Sequence, residues 1–147
     1  MDEEKYNYLL NFGFSPLDID DIEIYNNGIY VVEFDEIKKT LDFLLTLDLS
    51  KKEVVKIIMQ NYSLITENIT RLLRIKELYS ERIGLNNKEL GDLLRRNNQA
   101  FSITITTFNE IIDYIYSKNV SPEKLKNVIS KHPSLVGMTL EEIKKMI

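Results

Sequence analysis

The chain has 147 residues, of which 44% are hydrophobic and 29% are charged, a balance that indicates one folded globular domain and excludes a disordered chain. It has no cysteine and one histidine, which excludes disulfides and thiolate metal sites. The net charge of −4 is uneven, because residues 1–46 hold 11 acids and 3 bases whereas residues 47–147 hold 12 acids and 16 bases. This asymmetry favours a basic working surface in the later part of the chain.

The N-terminal segment MDEEKYNYLL lacks the features of a targeting signal. A secretory signal begins with basic residues, whereas this segment is acidic. No apolar run in the sequence approaches the roughly 20 residues that span a bilayer. We therefore expect a cytoplasmic protein that makes no membrane contact.

A pattern that repeats every 35 or 36 residues follows this segment. Each repeat opens with a residue that favours a helix N-terminus, and the four residues are separated by 35, 36 and 35 positions: Ser15, Ser50, Asn86 and Ser121. Each first helix ends at a short polar break, at residues 26–28, 61–63, 97–99 and 132–134, and a second, longer helix follows. The predicted helices lie near residues 34–47, 50–60, 68–82, 86–97, 104–118, 121–131 and 139–147.

Six apolar positions recur in all four repeats at the same offsets, for example Ile19, Val54, Leu90 and Leu125. Such a repeat cannot bury its apolar face alone, so neighbouring repeats must stack. The predicted fold is a single all-α domain, a right-handed α-solenoid of about four repeats at about 12–46, 47–82, 83–117 and 118–147. Six of the recurring side chains are predicted to be buried, namely Ile57, Leu93, Val128, Ile69, Ile105 and Leu140.

The repeat resembles that of the mitochondrial transcription termination factor (mTERF) family. The family's repeat starts with Leu-x-Leu-Ser, continues as an apolar helix, and then has a basic residue shortly before Pro, a Leu and a second helix. Residues 120–135, with Lys131, Pro133 and Leu135, match this pattern best, and residues 47–64 match it apart from the Pro. The resemblance covers roughly residues 12–147. It implies two helices and a short 3₁₀ turn per repeat, in a curved solenoid that grips duplex nucleic acid.

No catalytic residue, cofactor or metal site is predicted. His132 is the only histidine and is better explained as a helix-end residue than as a metal ligand. A calcium loop starting at Asp18 would need Gly where Glu23 stands and Glu where Ile29 stands. The glycines are too far apart for a phosphate-binding loop. The sequence therefore favours a protein without enzymatic activity and without a small-molecule substrate.

Basic residues at repeat-equivalent positions are the candidate nucleic-acid-binding residues. One set lies on the second helices of three repeats and consists of Lys39, Arg74 and Lys145, whereas the third repeat has Glu110 at this position. The other set lies at the ends of first helices and consists of Arg96 and Lys131. Stacked repeats would align such residues into rows that contact phosphates without reading sequence. The alternative is that they only occupy the solvated faces of amphipathic helices.

The first repeat is degenerate and acidic. Its carboxylates Asp18, Asp20, Asp21 and Glu23 form either a solvated helix face or a docking site for a basic protein partner. Two functions therefore remain open. One is duplex nucleic-acid binding, which the family resemblance implies. The other is a protein–protein interaction scaffold with an acidic N-terminal docking unit.

Overall fold

The structure, a computed structural model, describes residues 1–146, and this range folds into helices without any β-strand. None of these helices is both long enough and apolar enough to cross a membrane. The α-helices, in chain order, are α1 (Glu3–Phe12), α2 (Pro16–Tyr25), α3 (Phe34–Leu45), α4 (Lys51–Gln60), α5 (Ile69–Ile83), α6 (Asn87–Arg96), α7 (Ile105–Ser117), α8 (Pro122–Lys131) and α9 (Leu140–Met146). Three 3₁₀ helices span Asn27–Tyr30, Tyr62–Thr66 and Pro133–Gly137.

The seven predicted helices are confirmed, each with ends within two residues of the predicted ones. Position 147 of the last predicted helix lies outside the described residues. The agreement follows from local capping chemistry. In α4, for example, the Ser50 hydroxyl accepts from the Glu53 backbone N–H at 3.1 Å while the Glu53 carboxylate accepts from the Ser50 N–H at 3.0 Å. Such reciprocal bonds satisfy donors that a helix N-terminus otherwise leaves unpaired.

Helix α1 precedes the repeats and is not among the predicted helices. The Asp2 side chain caps its N-terminus by accepting from the Lys5 N–H at 2.8 Å, and Gly13 ends it with φ of 133°, a conformation that favours glycine. The buried Lys5 ammonium donates to the carbonyl of Ile29 at 3.2 Å. This bond ties α1 to the 3₁₀ helix of the first repeat.

The polar break after each first helix has the same backbone shape in all four repeats. Its residue has φ between −149° and −132° and ψ between 72° and 93°, at Asn26, Asn61, Asn97 and His132. The Asn26 side-chain amide donates to the carbonyl of Tyr62 at 2.8 Å, and the Asn97 amide donates to that of Pro133 at 2.9 Å. Each bond reaches 36 residues forward, so the break is a joint between one repeat and the next.

The core prediction is confirmed in part. Ile57 and Leu93 are buried as expected, whereas Val128 is only half-buried, because burial in α8 falls on Leu125 and Ile129. The prediction is also wrong for the three side chains Ile69, Ile105 and Leu140, which are half-buried. Each is the first residue of its α-helix. Because helical side chains tilt toward the N-terminus, such a side chain projects beyond the first turn and stays partly in solvent.

The chain divides into two compact units, an N-terminal unit of Met1–Leu72 and a C-terminal unit that begins at Leu73, inside α5. Each unit has its own apolar core. The N-terminal unit holds 14 acids and 7 bases, a net charge of −7, and the C-terminal unit holds 9 acids and 12 bases, a net charge of +3. The single domain and the four repeat boundaries stay predictions.

Candidate nucleic-acid interface

Helices α6 and α8, the first helices of the third and fourth repeats, both carry exposed cations. On α6, Lys88, Arg95 and Arg96 are exposed at positions i, i+7 and i+8, which lie on one side of a helix. On α8, Lys124 and Lys131 are exposed at positions i and i+7. We call these five residues the basic face.

Helices α6 and α8 are held side by side by polar contacts. The Lys126 ammonium of α8 lies 2.9 Å from a carboxylate oxygen of Glu89 on α6 and donates to the carbonyl of Gly84 at 3.3 Å. The Arg96 guanidinium at the end of α6 donates to the carbonyl of Ser130 near the end of α8. Because Ser130 precedes Lys131, this bond places Arg96 next to the end of α8 that carries Lys131.

The environment of the Glu89–Lys126 ion pair lowers the pKa of the Glu89 carboxyl group. Burial opposes ionisation of Glu89, but the Asn86 backbone N–H and the Lys126 ammonium outweigh it and lower the pKa of Glu89 below its usual value. Glu89 therefore keeps its charge and neutralises Lys126. Lys126 thus acts as a link between helices and is not counted in the basic face.

The acids nearest the basic face reduce its charge without cancelling it. Asp92 lies 3.6 Å from Arg96 and 4.0 Å from Arg95. Within residues 1–146, no carboxylate lies within 4.0 Å of the ammonium groups of Lys88 or Lys124. Lys131 likewise has no acid within that distance in the described part of the chain. These three ammonium groups are available to an anionic ligand.

The predicted cations on the second helices are placed differently. Lys39 lies 3.4 Å from Glu36 and Arg74 lies 3.2 Å from Glu77, so each has an acid on its own helix. Lys145 is exposed on α9. Among the described residues, no hydrogen bond or ion pair joins Arg74 or Lys145 to Arg96 or Lys131. The binding role of all five predicted residues stays a prediction.

The acidic residues of α2 take separate roles. Asp18 forms a capping box with Ser15, in which the two reciprocal bonds measure 2.9 and 3.0 Å. Glu23 accepts from the Tyr30 hydroxyl at 2.7 Å. Asp20 is exposed and Asp21 is half-buried. Within residues 1–146, no group of three or more histidine, aspartate or glutamate side chains is placed to hold a metal ion.

Three residues of the basic face, Lys88, Arg95 and Lys124, are absent from the predicted site. Comparing positions between repeats does not reveal Arg95 or Lys124, whose equivalents are uncharged or acidic, whereas Lys88 has one basic equivalent, Lys52 in the second repeat. The signal that could have found them is the spacing of seven residues within one helix, from Lys88 to Arg95 and from Lys124 to Lys131.

Comparison with known proteins agrees with this structure. No curated protein matches the chain. The sequence profile of the mTERF family matches residues 27–147, which includes every repeat except the first helix of the first one. The match covers most of the chain. The 3₁₀ helix that the resemblance implied between the two helices of a repeat is present in the first, second and fourth repeats, whereas residues 98–102 of the third repeat form a turn instead. The chain therefore belongs to the mTERF family of helical-repeat proteins.

Proposed function

We propose that this protein binds double-stranded nucleic acid without enzymatic activity, by contacts between the basic face and backbone phosphates. The observation that supports the proposal is the bond from Arg96 to the Ser130 carbonyl, because it joins the ends of two neighbouring helices that both carry exposed cations. Membership of the mTERF family supports the same ligand class.

The spacing of the cations suits a nucleic-acid strand. Lys88 and Arg95 are seven residues apart on α6, as are Lys124 and Lys131 on α8, a separation of about 10 Å along each helix. One strand of a duplex places a phosphate every 3.4 Å or so along the helix axis, so each pair spans about three nucleotides. Contacts of this kind give affinity but carry no sequence information.

The exposed cations are free to make such contacts at little cost. Lys88, Lys124 and Lys131 lack acidic partners within 4.0 Å in the described part of the chain, so binding a phosphate breaks no existing ion pair. The protein's ammonium groups would then displace the small cations condensed on the phosphates, and this counterion release is the main source of affinity in non-specific binding.

The proposal is tested by charge reversal on the basic face. We expect Arg96→Glu with Lys131→Glu to weaken binding to 20-base-pair DNA duplexes of unrelated sequence by the same factor. The slope of log affinity against log salt should fall by about 1.8 in magnitude, or about 0.9 for each lost contact. Fluorescence anisotropy from about 50 to 200 mM salt measures both quantities, and an RNA duplex measured in parallel tests the second duplex type.

The matched control is Lys38→Glu with Lys118→Glu, which changes the net charge equally on α3 and at the end of α7. Equal losses in both variants would mean that only the overall charge matters and would overturn the proposed site. A third variant, Arg74→Glu with Lys145→Glu, tests the second-helix cations separately. No binding by the unmodified protein at 50 mM salt would overturn the function itself.

A further inference from the structure

The outer side of α2 exposes large apolar side chains. Leu17 is 75% exposed and Ile24 is 70% exposed, and they stand seven residues apart on the same side of the helix. Tyr25, at the end of α2, and Tyr30 and Val31, shortly after it in the chain, are also exposed. We call these five residues the apolar face. Clusters of exposed apolar side chains of this kind mark protein interaction sites more often than they mark ordinary solvated surface.

The aromatic side chains of the apolar face are held in fixed positions. The ring of Tyr25 stacks on that of Tyr62, with centroids 5.3 Å apart and planes 14° from parallel. The Tyr30 hydroxyl donates to Glu23 at 2.7 Å. Side chains that are ordered before binding lose little conformational entropy when a partner covers them, which favours association.

Two carboxylates lie within this surface. Asp20 and Asp21 stand three and four residues after Leu17, between it and Ile24. Within residues 1–146, no lysine or arginine nitrogen lies within 4.0 Å of either carboxylate. These acids repel phosphates, and in a symmetric contact between two copies of α2 they would oppose each other. The ligand that complements both the apolar and the acidic side chains is a basic protein segment.

We propose that the apolar face docks a basic amphipathic α-helix of another protein. Leu17, Asp20, Asp21 and Ile24 follow the i, i+3, i+4, i+7 spacing, which puts them on one side of α2, where a second helix can pack against them. The partner's apolar side chains cover Leu17, Ile24 and Tyr25, and its lysines or arginines lie against Asp20 and Asp21. This recognition mode is an established one for amphipathic helices.

Comparison of equivalent positions in the repeats supports a role for the apolar face that differs from that of the basic face. The positions of Leu17 and Ile24 are occupied by Lys88 and Arg95 in the third repeat. The same outward positions therefore present apolar side chains in the first repeat and cations in the third. Because α2 has no cation at these positions, it lacks the phosphate contacts proposed for α6.

The test uses the full chain and a fluorescent 16-residue peptide with leucines at helical spacing and lysines on either side of them. We expect saturable binding that a scrambled peptide of the same composition does not reproduce. Ile24→Ser should weaken peptide binding at least about fivefold, as loss of a central interface side chain does. Leu73→Ser is the matched control, because Leu73 is an exposed leucine of the C-terminal unit, and it should leave binding unchanged.

Charge reversal tests the acidic part. Asp20→Lys with Asp21→Lys should weaken peptide binding about tenfold and reduce its salt dependence, whereas Asp35→Lys with Glu81→Lys, of equal charge change, should have little effect. Equal binding of the scrambled peptide, or equal losses in the paired controls, would overturn the proposal. Ile24→Ser should leave duplex binding unchanged, so failure here is distinguishable from failure of the nucleic-acid proposal. Loss of duplex binding in Ile24→Ser would show that α2 contacts nucleic acid instead.

Discussion

Helices α2 and α6 are the first helices of the first and third repeats, and they share length, capping and inward packing but differ on their outer faces. Both have ten residues and both begin with a capping box. Their inward residues are buried leucines and isoleucines at equivalent positions, such as Ile22 and Leu93. Their outward residues differ, with Ile24 and Tyr25 in α2 replaced by Arg95 and Arg96 in α6.

The comparison shows that the first helix of a repeat has two separate sets of positions, one facing the core and one facing solvent. The inward set determines whether the repeat folds, since it supplies the buried area that stacking requires. The outward set contributes little to that buried area, and we expect it to decide what the repeat binds. A substitution should therefore affect stability or binding according to its side of the helix, and the following predictions test that separation.

The largest expected effect on stability is at the inward position of α6. Leu93→Ala should lower the free energy of unfolding by about 2–5 kcal/mol, because it leaves a cavity among buried side chains. Leu17→Ala, at an outward position of α2, should change it by less than about 0.5 kcal/mol. Urea denaturation followed by circular dichroism measures both. Similar losses in the two variants would contradict the division into inward and outward positions.

The largest expected effect on binding comes from giving α6 the outer face of α2. The triple variant Lys88→Leu, Arg95→Ile and Arg96→Tyr should keep the helical circular dichroism spectrum but lose at least about tenfold in duplex affinity at low salt. Its salt slope should fall by about 2.7, which corresponds to three phosphate contacts. Anisotropy titration measures the affinity. Unchanged binding would mean that α6 does not contact the duplex.

A smaller loss of stability is expected at the joint between repeats. Asn97→Ala removes the side-chain amide that donates to the Pro133 carbonyl at 2.9 Å, and it should cost about 1–2 kcal/mol of unfolding free energy. Asn127→Ala, on the exposed side of α8, is the matched control and should cost much less. Thermal unfolding of the three proteins compares them. Equal stability of both variants would show that the joint is held by packing alone.

The smallest expected effect is a pH-dependent change in stability on loss of the Lys126–Glu89 ion pair. Because the pKa of Glu89 is lowered from 4.5 in the folded protein, its ion pair contributes stability that is fully present above pH 4.5. This contribution is lost as the pH falls through the lower, folded-state pKa. Both side chains are about a third exposed, at 35% for Lys126 and 33% for Glu89, so solvent screening keeps the contribution below about 1 kcal/mol.

The variant Lys126→Met should therefore be slightly less stable than the unmodified protein at pH 6, and the difference should shrink as the pH falls below 4.5. Unfolding by urea at several values between pH 3 and pH 6 measures it. Glu89→Gln serves as the control, since it removes the titrating group while keeping the side-chain size. A difference that stays constant over this range would assign the effect of Lys126 to its bond with the Gly84 carbonyl.

The sequence by itself determined the repeat, the helices and their caps. These features depend on side chains within a few residues of one another, as in the Ser50–Glu53 capping box, and on the periodic spacing of apolar residues. Even the missed helix α1 has local signals, with Asp2 before it and Gly13 after it. The family resemblance rested on the same short-range pattern, which is why the match to residues 27–147 agrees with it.

Only the tertiary structure decided which outward side chains lie together. Repeat-equivalent spacing placed Arg74 and Lys145 in one predicted row, yet their neighbours differ, and Arg74 pairs with Glu77 on its own helix. Arg96 donates to the Ser130 carbonyl, 34 residues away, at the end of α8 that carries Lys131, and no local pattern encodes this bond. The partial exposure of Ile105 likewise depends on its position at the start of α7 relative to the neighbouring helices. Contacts between repeats arise from packing geometry, and that geometry is fixed only when all the neighbouring helices are in place.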